Sequence, residues 1–381
     1  MAYRRLWRTA TAFLCVLLVV ITTIGYSRFT DASVFQPADF SDGDPSINTA
    51  SAVTRRIAPA VSEESLRYVP RDTEQIWKER GYVIVFGIPS ADSDARQRRR
   101  HLQRSTCWRF PGVATKANNF TGAMLVLYVL ARHPSHNFTY SATLEAEAAE
   151  WHDVIALPMN EGRPSTNKTI GGGKWGNEAE IGLSRKVFRW FDMALRLFPT
   201  VTYFAKGDDD MFLRVPQYLA DLRSLPRRGL FWGAPGSGTI RKGHVTHRFR
   251  FFAGMLYTLA RDVVQQLVSF EPVRRLVHVP YTKKNEREFF SYKMQYEDVM
   301  VGQILRLEVR YSALVVVEDC WYRFHAGRDR TGKLRAKFMS VVLHLPPENS
   351  YGKLMKLFGS DTLPSTVLWK WRNPGLIQFF C

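Results

Sequence analysis

The sequence predicts an α/β fold in which a largely parallel sheet carries a ligand site at its strand ends. Two observations lead there. Apolar, β-rich runs alternate with helical stretches along the middle of the chain, the pattern of strands joined by covering helices. One of those runs, Val201 to Ala205, ends almost at once in Asp208-Asp209-Asp210. Ligands on such sheets sit beyond the carboxyl ends of the strands.

In chain order, residues 1–8 hold Arg4, Arg5 and Arg8, and Thr9 to Tyr26 is an uncharged, mostly apolar run of 18 residues. That length just spans a bilayer, and the preceding arginines predict a cytosolic N-terminus, a signal anchor at 9–26 and a lumenal body. A cleaved signal peptide is the competing reading, against which stand the length of the run and the lack of a clear small-residue cleavage site. Residues 27–79 are polar, with stretches such as Asp39 to Ser46 that bury little, and read as a stem. The folded part is expected over 80–365, with 366–381 as a tail.

Tyr82 to Ile88 is the first buried strand, followed by a strongly basic run from Arg96 to Arg104. Met124 to Leu130 is the second strand, Thr143 to Trp151 a helix, Asp153 to Leu157 the third strand. Ser184 to Leu197 is amphipathic, with Val187, Phe188, Phe191, Ala194 and Leu195 at helical spacing. Gly171-Gly172-Gly173-Lys174 lacks the Ser or Thr that a phosphate loop needs next, since Trp175 follows, so a flexible loop is expected. Gly254, central in an apolar run, marks close backbone approach. A helix is expected to begin at Glu297-Asp298, ahead of Met300, Val301, Ile304 and Leu305.

The net charge of +18 permits contact with nucleic acid, an anionic membrane or a diphosphate. A lumenal body makes nucleic acid a poor partner. Sequons at Asn119, Asn137 and Asn167 are candidate glycosylation sites in the same setting. Four cysteines, Cys15, Cys107, Cys320 and Cys381, allow one disulfide in the body and leave one thiol over. Their spacing suits no zinc site.

Three adjacent aspartates repel one another, and carboxylate oxygens suit Mg²⁺ or Mn²⁺. A solvated turn that caps the next helix is the alternative. Glu297 and Asp298 in a first helical turn either complement the helix dipole or supply a general base. His325 and His344 each follow apolar residues and fit packing as well as ligation.

The order of these pieces resembles the inverting β1,3-glycosyltransferases, the family of β1,3-galactosyl- and N-acetylglucosaminyltransferases, and in particular its kinetoplastid branch. The segments carrying the resemblance are Arg104-Ser105-Thr106-Cys107-Trp108, Asp153-Val154-Ile155, Lys206 to Phe212, Phe252-Ala253-Gly254, Glu297 to Gly302, and Val342 to Pro347. The resemblance implies a GT-A fold with a Rossmann-like nucleotide half, behind a transmembrane helix and stem. It implies a Golgi type II membrane enzyme that takes galactose or N-acetylglucosamine from UDP-Gal or UDP-GlcNAc to a glycan hydroxyl. It implies Mn²⁺ (or Mg²⁺) on Asp208, Asp210 and His344, donor contacts from Asp208, Asp209, Arg104 and Ser90, and catalysis by Asp298 with Glu297. The chain departs from the family at the extra Cys107 and at Met300, where many relatives have Tyr. A catalytically silent glycan-binding or scaffold protein on the same fold is the rival expectation. A metal-dependent phosphohydrolase would need more ligands near the triplet than the sequence offers.

Overall fold

Why the chain alternates strands and helices is visible in its burial. Strand β1 (Ile84–Pro89) is buried along its whole length and β2 (Met124–Arg132) along nearly all of it, so each must be covered on both faces. In the computed structural model, which describes residues 62–359 apart from 168, 171 and 172, and residues 368–380, these two strands pair in parallel within a ten-stranded sheet. Strand β3 (Val154–Asn160) adds in parallel to β2, and β4 (Tyr203–Gly207) in parallel to β1. A short strand, β5 (Met211–Leu213), leaves the sheet just after the triplet.

Beyond β4 the sheet becomes mixed. Strands β6 (Leu230–Lys242) and β7 (Val245–Ala260) form a long antiparallel pair, and β7 runs antiparallel to β4. Strand β8 (Val315–Glu318) returns in parallel to β6. The expected parallel sheet therefore describes one half of the molecule only.

The second sheet has three strands: β9 (Phe324–Ala326), β10 (Val342–His344) and β5. Its register sets His344 opposite Met211. Helix α1 (Arg71–Glu79) packs away from the site, and α2 (Asp94–Ser105), α3 (Ala142–Trp151), α4 (Asn177–Leu197) and α5 (Glu297–Gln303) are the ones that bear on it. In α4, Val187, Phe188, Trp190, Phe191 and Ala194 are buried, so the amphipathic reading of that segment holds and the helix starts earlier than expected.

Both expected boundaries of the folded part move outward. Residues 62–79 belong to the body: Trp77 is 1% exposed and packs edge-on against Phe120 at 5.8 Å and tilted against Phe198 at 6.2 Å. Residues 369–379 are sheet, not tail. Strands β11 (Trp369–Asn373) and β12 (Leu376–Phe379) form a hairpin whose second strand pairs in parallel with β8. Phe379 stacks on the buried Trp232 at 5.9 Å. Local periodicity cannot report such pairings, because the partners lie far away in sequence.

Cys107 is a buried free thiol whose pKa burial pushes up to about 12, whereas Cys320 is disulfide-bonded. Despite the extra residue, Trp108 is buried and its Nε1 donates to the Tyr128 hydroxyl at 2.8 Å. Among the described residues no helix is long and apolar enough to cross a membrane, and the run from Thr9 to Tyr26 lies outside them.

Trp77→Ala is expected to lower unfolding stability by about 3–5 kcal/mol, the usual cost of emptying a large aromatic site. Urea unfolding checks this. An unchanged midpoint would mean that residues 62–79 are the independent stem that composition suggests.

Candidate functional site

A cavity of about 640 Å³ opens where β1 and β4 end, and Ser90, Asp208, Asp209, Asp210, Glu297, Asp298 and His344 all line it. Its size is that of an ordinary small-molecule site. The local sequence explains how the triplet comes to face it. Strand β4 is apolar and buried up to Lys206, so the chain emerges from the core only at the triplet. Gly207 allows the tight exit, since a Cβ there would meet Phe86 and Met211 side chains at 2.7 Å.

Lys206 itself is 1% exposed. Its Nζ donates to Asp208 Oδ1 at 2.7 Å and to the Gly254 carbonyl at 2.6 Å, and lies 2.9 Å from Glu297 Oε2. Burial opposes its charge, but the carboxylates of Asp208 and Glu297 outweigh burial and hold the ammonium well above its ordinary pKa. Strand β7 approaches closely here because its register against β6 shifts between Phe252 and Tyr257. A Cβ at Gly254 would stand 3.2 Å from Lys206 Nζ, 3.4 Å from Glu297 and 3.5 Å from Asp298.

The triplet divides its work. Asp209 accepts from Ser90 Oγ at 2.6 Å and pairs with Arg96. Asp210 Oδ2 accepts from Arg99 Nη1 at 3.2 Å. Asp208, Asp210 and His344 form a cluster whose ligand atoms lie within 4.8 Å of one another. His344 Nε2 is 3.4 Å from Asp208 Oδ2 and 3.2 Å from Asp210 Oδ1. The second contact lacks hydrogen-bond geometry, so Asp210 Oδ1 is buried without a donor among the described residues. An orphaned buried carboxylate oxygen beside a second carboxylate and an imidazole fits a hard divalent cation. Strand pairing explains the assembly: β10 binds antiparallel to β5, and Leu345 N donates to the Asp210 carbonyl at 2.8 Å.

Charges in the cluster shift accordingly. Burial works against ionised Asp208, yet Lys206 and then His344 hold its carboxyl well below the usual range. Burial also works against protonated His344, but the close carboxylates of Asp208 and Asp210 raise it to about 10. For Asp209 burial wins and its pKa rises, with Arg96 opposing.

On the other wall, Glu297 and Asp298 occupy the first turn of α5 and face differently. Glu297 is buried, pairs with Lys206 and accepts from the Tyr257 hydroxyl. Burial raises it to about 7, against the pull of Lys206. Asp298 is only half-buried; its Oδ2 accepts from Gly254 N at 3.0 Å and its Oδ1 from Val299 N at 2.8 Å. Burial raises its pKa too, with Lys206 and those two amides opposing.

Of the residues singled out in the sequence, Arg104 stands apart from this cavity. Its guanidinium is buried between Glu147 and Asp153, at 2.6 Å from each, and stacks over Tyr128 at 4.5 Å. Within the basic run, Arg100 is 1% exposed and paired with Glu147, whereas Arg98 is exposed. Arg96 and Arg99, three residues apart on one face of α2, pair with Asp209 and Asp210, which composition did not reveal. His325 is a packing residue, bonded to Ser340 Oγ at 2.7 Å. Asn119, Asn137 and Asn167 are all on the surface, the first two in left-handed conformation after single turns of 3₁₀ helix.

The chain matches no protein-family model and no curated protein sequence.

The raised pKa of His344 has a testable sign. Its charged form contributes stability that is complete below the unfolded value of 6.5 and is lost as pH rises through about 10. Without added metal, the stability difference between the wild type and His344→Gln should therefore shrink steadily over that window in urea unfolding. A difference independent of pH would show that the imidazole is not charged by the two aspartates.

Proposed function

We propose that the chain is a metal-dependent, inverting hexosyltransferase of GT-A fold that moves galactose or N-acetylglucosamine from a UDP-sugar to a glycan hydroxyl, forming a β-linkage, β1,3 in the family it resembles. One observation carries this reading: a metal-type cluster, Asp208–Asp210–His344, and a partly buried carboxylate, Asp298, line one cavity and are joined through Lys206 and Gly254. Transfer from a nucleoside diphosphate sugar needs both halves, one to accept the negative charge of the leaving diphosphate and one to activate the incoming hydroxyl.

Asp208, Asp210 and His344 would hold Mn²⁺ or Mg²⁺, which supplies neutralisation of charge on the departing diphosphate. The protein's own groups do the rest. Arg96 and Arg99 are held beside Asp209 and Asp210 and add positive charge where phosphate oxygens would lie. Ser90 and Asp209 fix that edge of the pocket through their mutual hydrogen bond. Asp298 takes the proton of the acceptor hydroxyl, its carboxylate aimed by the Gly254 and Val299 amides. Glu297 is committed to Lys206 and Tyr257, so its part is to orient the turn that presents Asp298. Attack on the anomeric carbon from the face opposite UDP turns an α-linked donor into a β-linked product. The apolar run from Thr9 to Tyr26 would place this chemistry in the Golgi lumen as a type II membrane enzyme.

Three measurements test the assignment. Asp210→Ala should abolish Mn²⁺-dependent binding of UDP-Gal and UDP-GlcNAc. Asp298→Asn should bind donor as the wild type does and lose about 10²–10⁴ in kcat, the usual worth of a general base. EDTA should stop UDP release and Mn²⁺ should restore it. Full activity in both variants would overturn the roles of Asp210 and Asp298, and a wild type that binds no nucleotide sugar would favour the silent scaffold.

A second expectation concerns protons. Since His344 is charged before metal arrives, Mn²⁺ must displace its proton, and apparent affinity should rise with pH below about 10. Calorimetry in buffers of different ionisation enthalpy should report proton release on binding in the wild type and none in His344→Gln.

A further inference from the structure

The long antiparallel pair of β6 and β7 runs past the strands beside it. Among the described residues, β8 joins β6 only from Leu230 to Gly233, and β4 joins β7 only from Leu256 to Ala260. Residues 235–252 therefore form a two-stranded arm, in unbroken register from Phe252 opposite Pro235 to Val245 opposite Lys242. Residues directly opposite in such a pair share a face, and alternate residues along a strand point to opposite faces. One face of the arm holds Gly236 opposite Phe251 and Gly238 opposite Phe249. It is the inner one. Phe249 is buried, each ring lies where the opposing glycine's Cβ would stand, and a Cβ on Gly302 of α5 would meet the Phe251 Cβ at 2.4 Å.

The other face consists of three rungs: Ser237 opposite Arg250, Thr239 opposite Arg248, and Arg241 opposite Thr246. All six residues are exposed. Each rung offers one guanidinium and one hydroxyl, and successive rungs are about 7 Å apart, two residues of antiparallel strand. Arg250 Nη1 donates across its rung to Ser237 Oγ at 3.0 Å, as a shared face requires. Acids do not balance this row. From Leu230 to Ala260 the sequence holds no Asp or Glu. Glu318 lies 3.1 Å from Arg250 Nε at the base of the arm, and Arg241 Nε donates to the Gly243 carbonyl at 3.1 Å. Arg248 meets no acceptor among the described residues.

We propose that this outer face binds an acidic glycan, a linear saccharide chain carrying phosphate or sulfate esters. Guanidinium groups meet such anions with paired N–H donors, and a row of them at even spacing suits a polymer of repeated charge. The hydroxyl on every rung is a partner for sugar hydroxyls. Single-stranded nucleic acid needs rings on which its bases stack, whereas Phe249 and Phe251 lie on the inner face. A bilayer needs apolar side chains to bury, and the three rungs carry no large one. Binding on the arm is separate from the transfer proposed for the cavity and does not depend on it.

The test is binding of dextran sulfate, phosphorylated dextran and neutral dextran, all of one chain length, to the full chain in detergent. The acidic dextrans should bind, the tighter of the two naming the ester, and the neutral one should not. Arg241→Gln with Arg248→Gln should weaken that binding by about tenfold or more, the worth of one or two charge-assisted hydrogen bonds. Arg330→Gln with Lys333→Gln removes the same charge from the exposed loop between β9 and β10 and should leave affinity nearly unchanged. Thr239→Val with Thr246→Val should weaken the acidic dextrans and spare any binding of polyglutamate. An unchanged urea midpoint certifies the fold of each variant. Equal losses from the two charge-removing pairs overturn the proposal, because net charge alone would then explain binding. So does a failure of both acidic dextrans to bind, and so does a single-stranded oligonucleotide or polyglutamate that holds the arm more tightly than they do.

Discussion

The buried ammonium of Lys206 is the constraint on which the rest of the cavity depends. An isolated charge at that depth is prohibitively costly, and this one is tolerated because two carboxylates and a carbonyl surround it. Those three partners come from three places in the chain: the loop after β4, the bulged part of β7, and the first turn of α5. Satisfying one cation therefore fixes the spacing between both walls of the site. The lack of a side chain at Gly254 belongs to the same arrangement, because its position is where the two walls come closest to Lys206.

A second set of cations lets the triplet exist. Helix α2 presents arginines on one face at helical spacing and divides them between two tasks. Arg96, which lines the cavity, and Arg99 pair with Asp209 and Asp210, while Arg100 and Arg104 pair with Glu147 and Asp153. The buried pairs anchor the helix; the less buried pairs are available to exchange partners with an anionic ligand. High net charge in this chain is thus partly structural.

The sequence made some of this legible and concealed the rest for physical reasons. Strands β1, β2 and β4, helix α4 and the start of α5 follow from local periodicity, and each is present. The triplet's place at a strand end follows from the apolar run before it. The places of the long β6–β7 hairpin and of the C-terminal hairpin in the sheet were not readable, because the strands they join, β4 and β8, are remote from them in sequence. His344 was ambiguous for the same reason: only its register opposite Met211 brings it to the aspartates. Arg104 was a donor contact by resemblance alone, and its guanidinium is taken up by Glu147 and Asp153.

The small sheet formed by β5, β9 and β10 has a bearing on how the protein acquires its shape. It joins residues 211–213 to residues 342–344, so the cluster of Asp208, Asp210 and His344 is closed by a contact of long sequence separation. Loops of that length close slowly, and chains emerge from the ribosome from the N-terminus. Until Leu345 bonds to the Asp210 carbonyl, the triplet's negative charge has only α2 and Lys206 to balance it. The chemistry of the site is thus among the last features to form, and a chain cut short before β10 would carry the aspartates without their histidine.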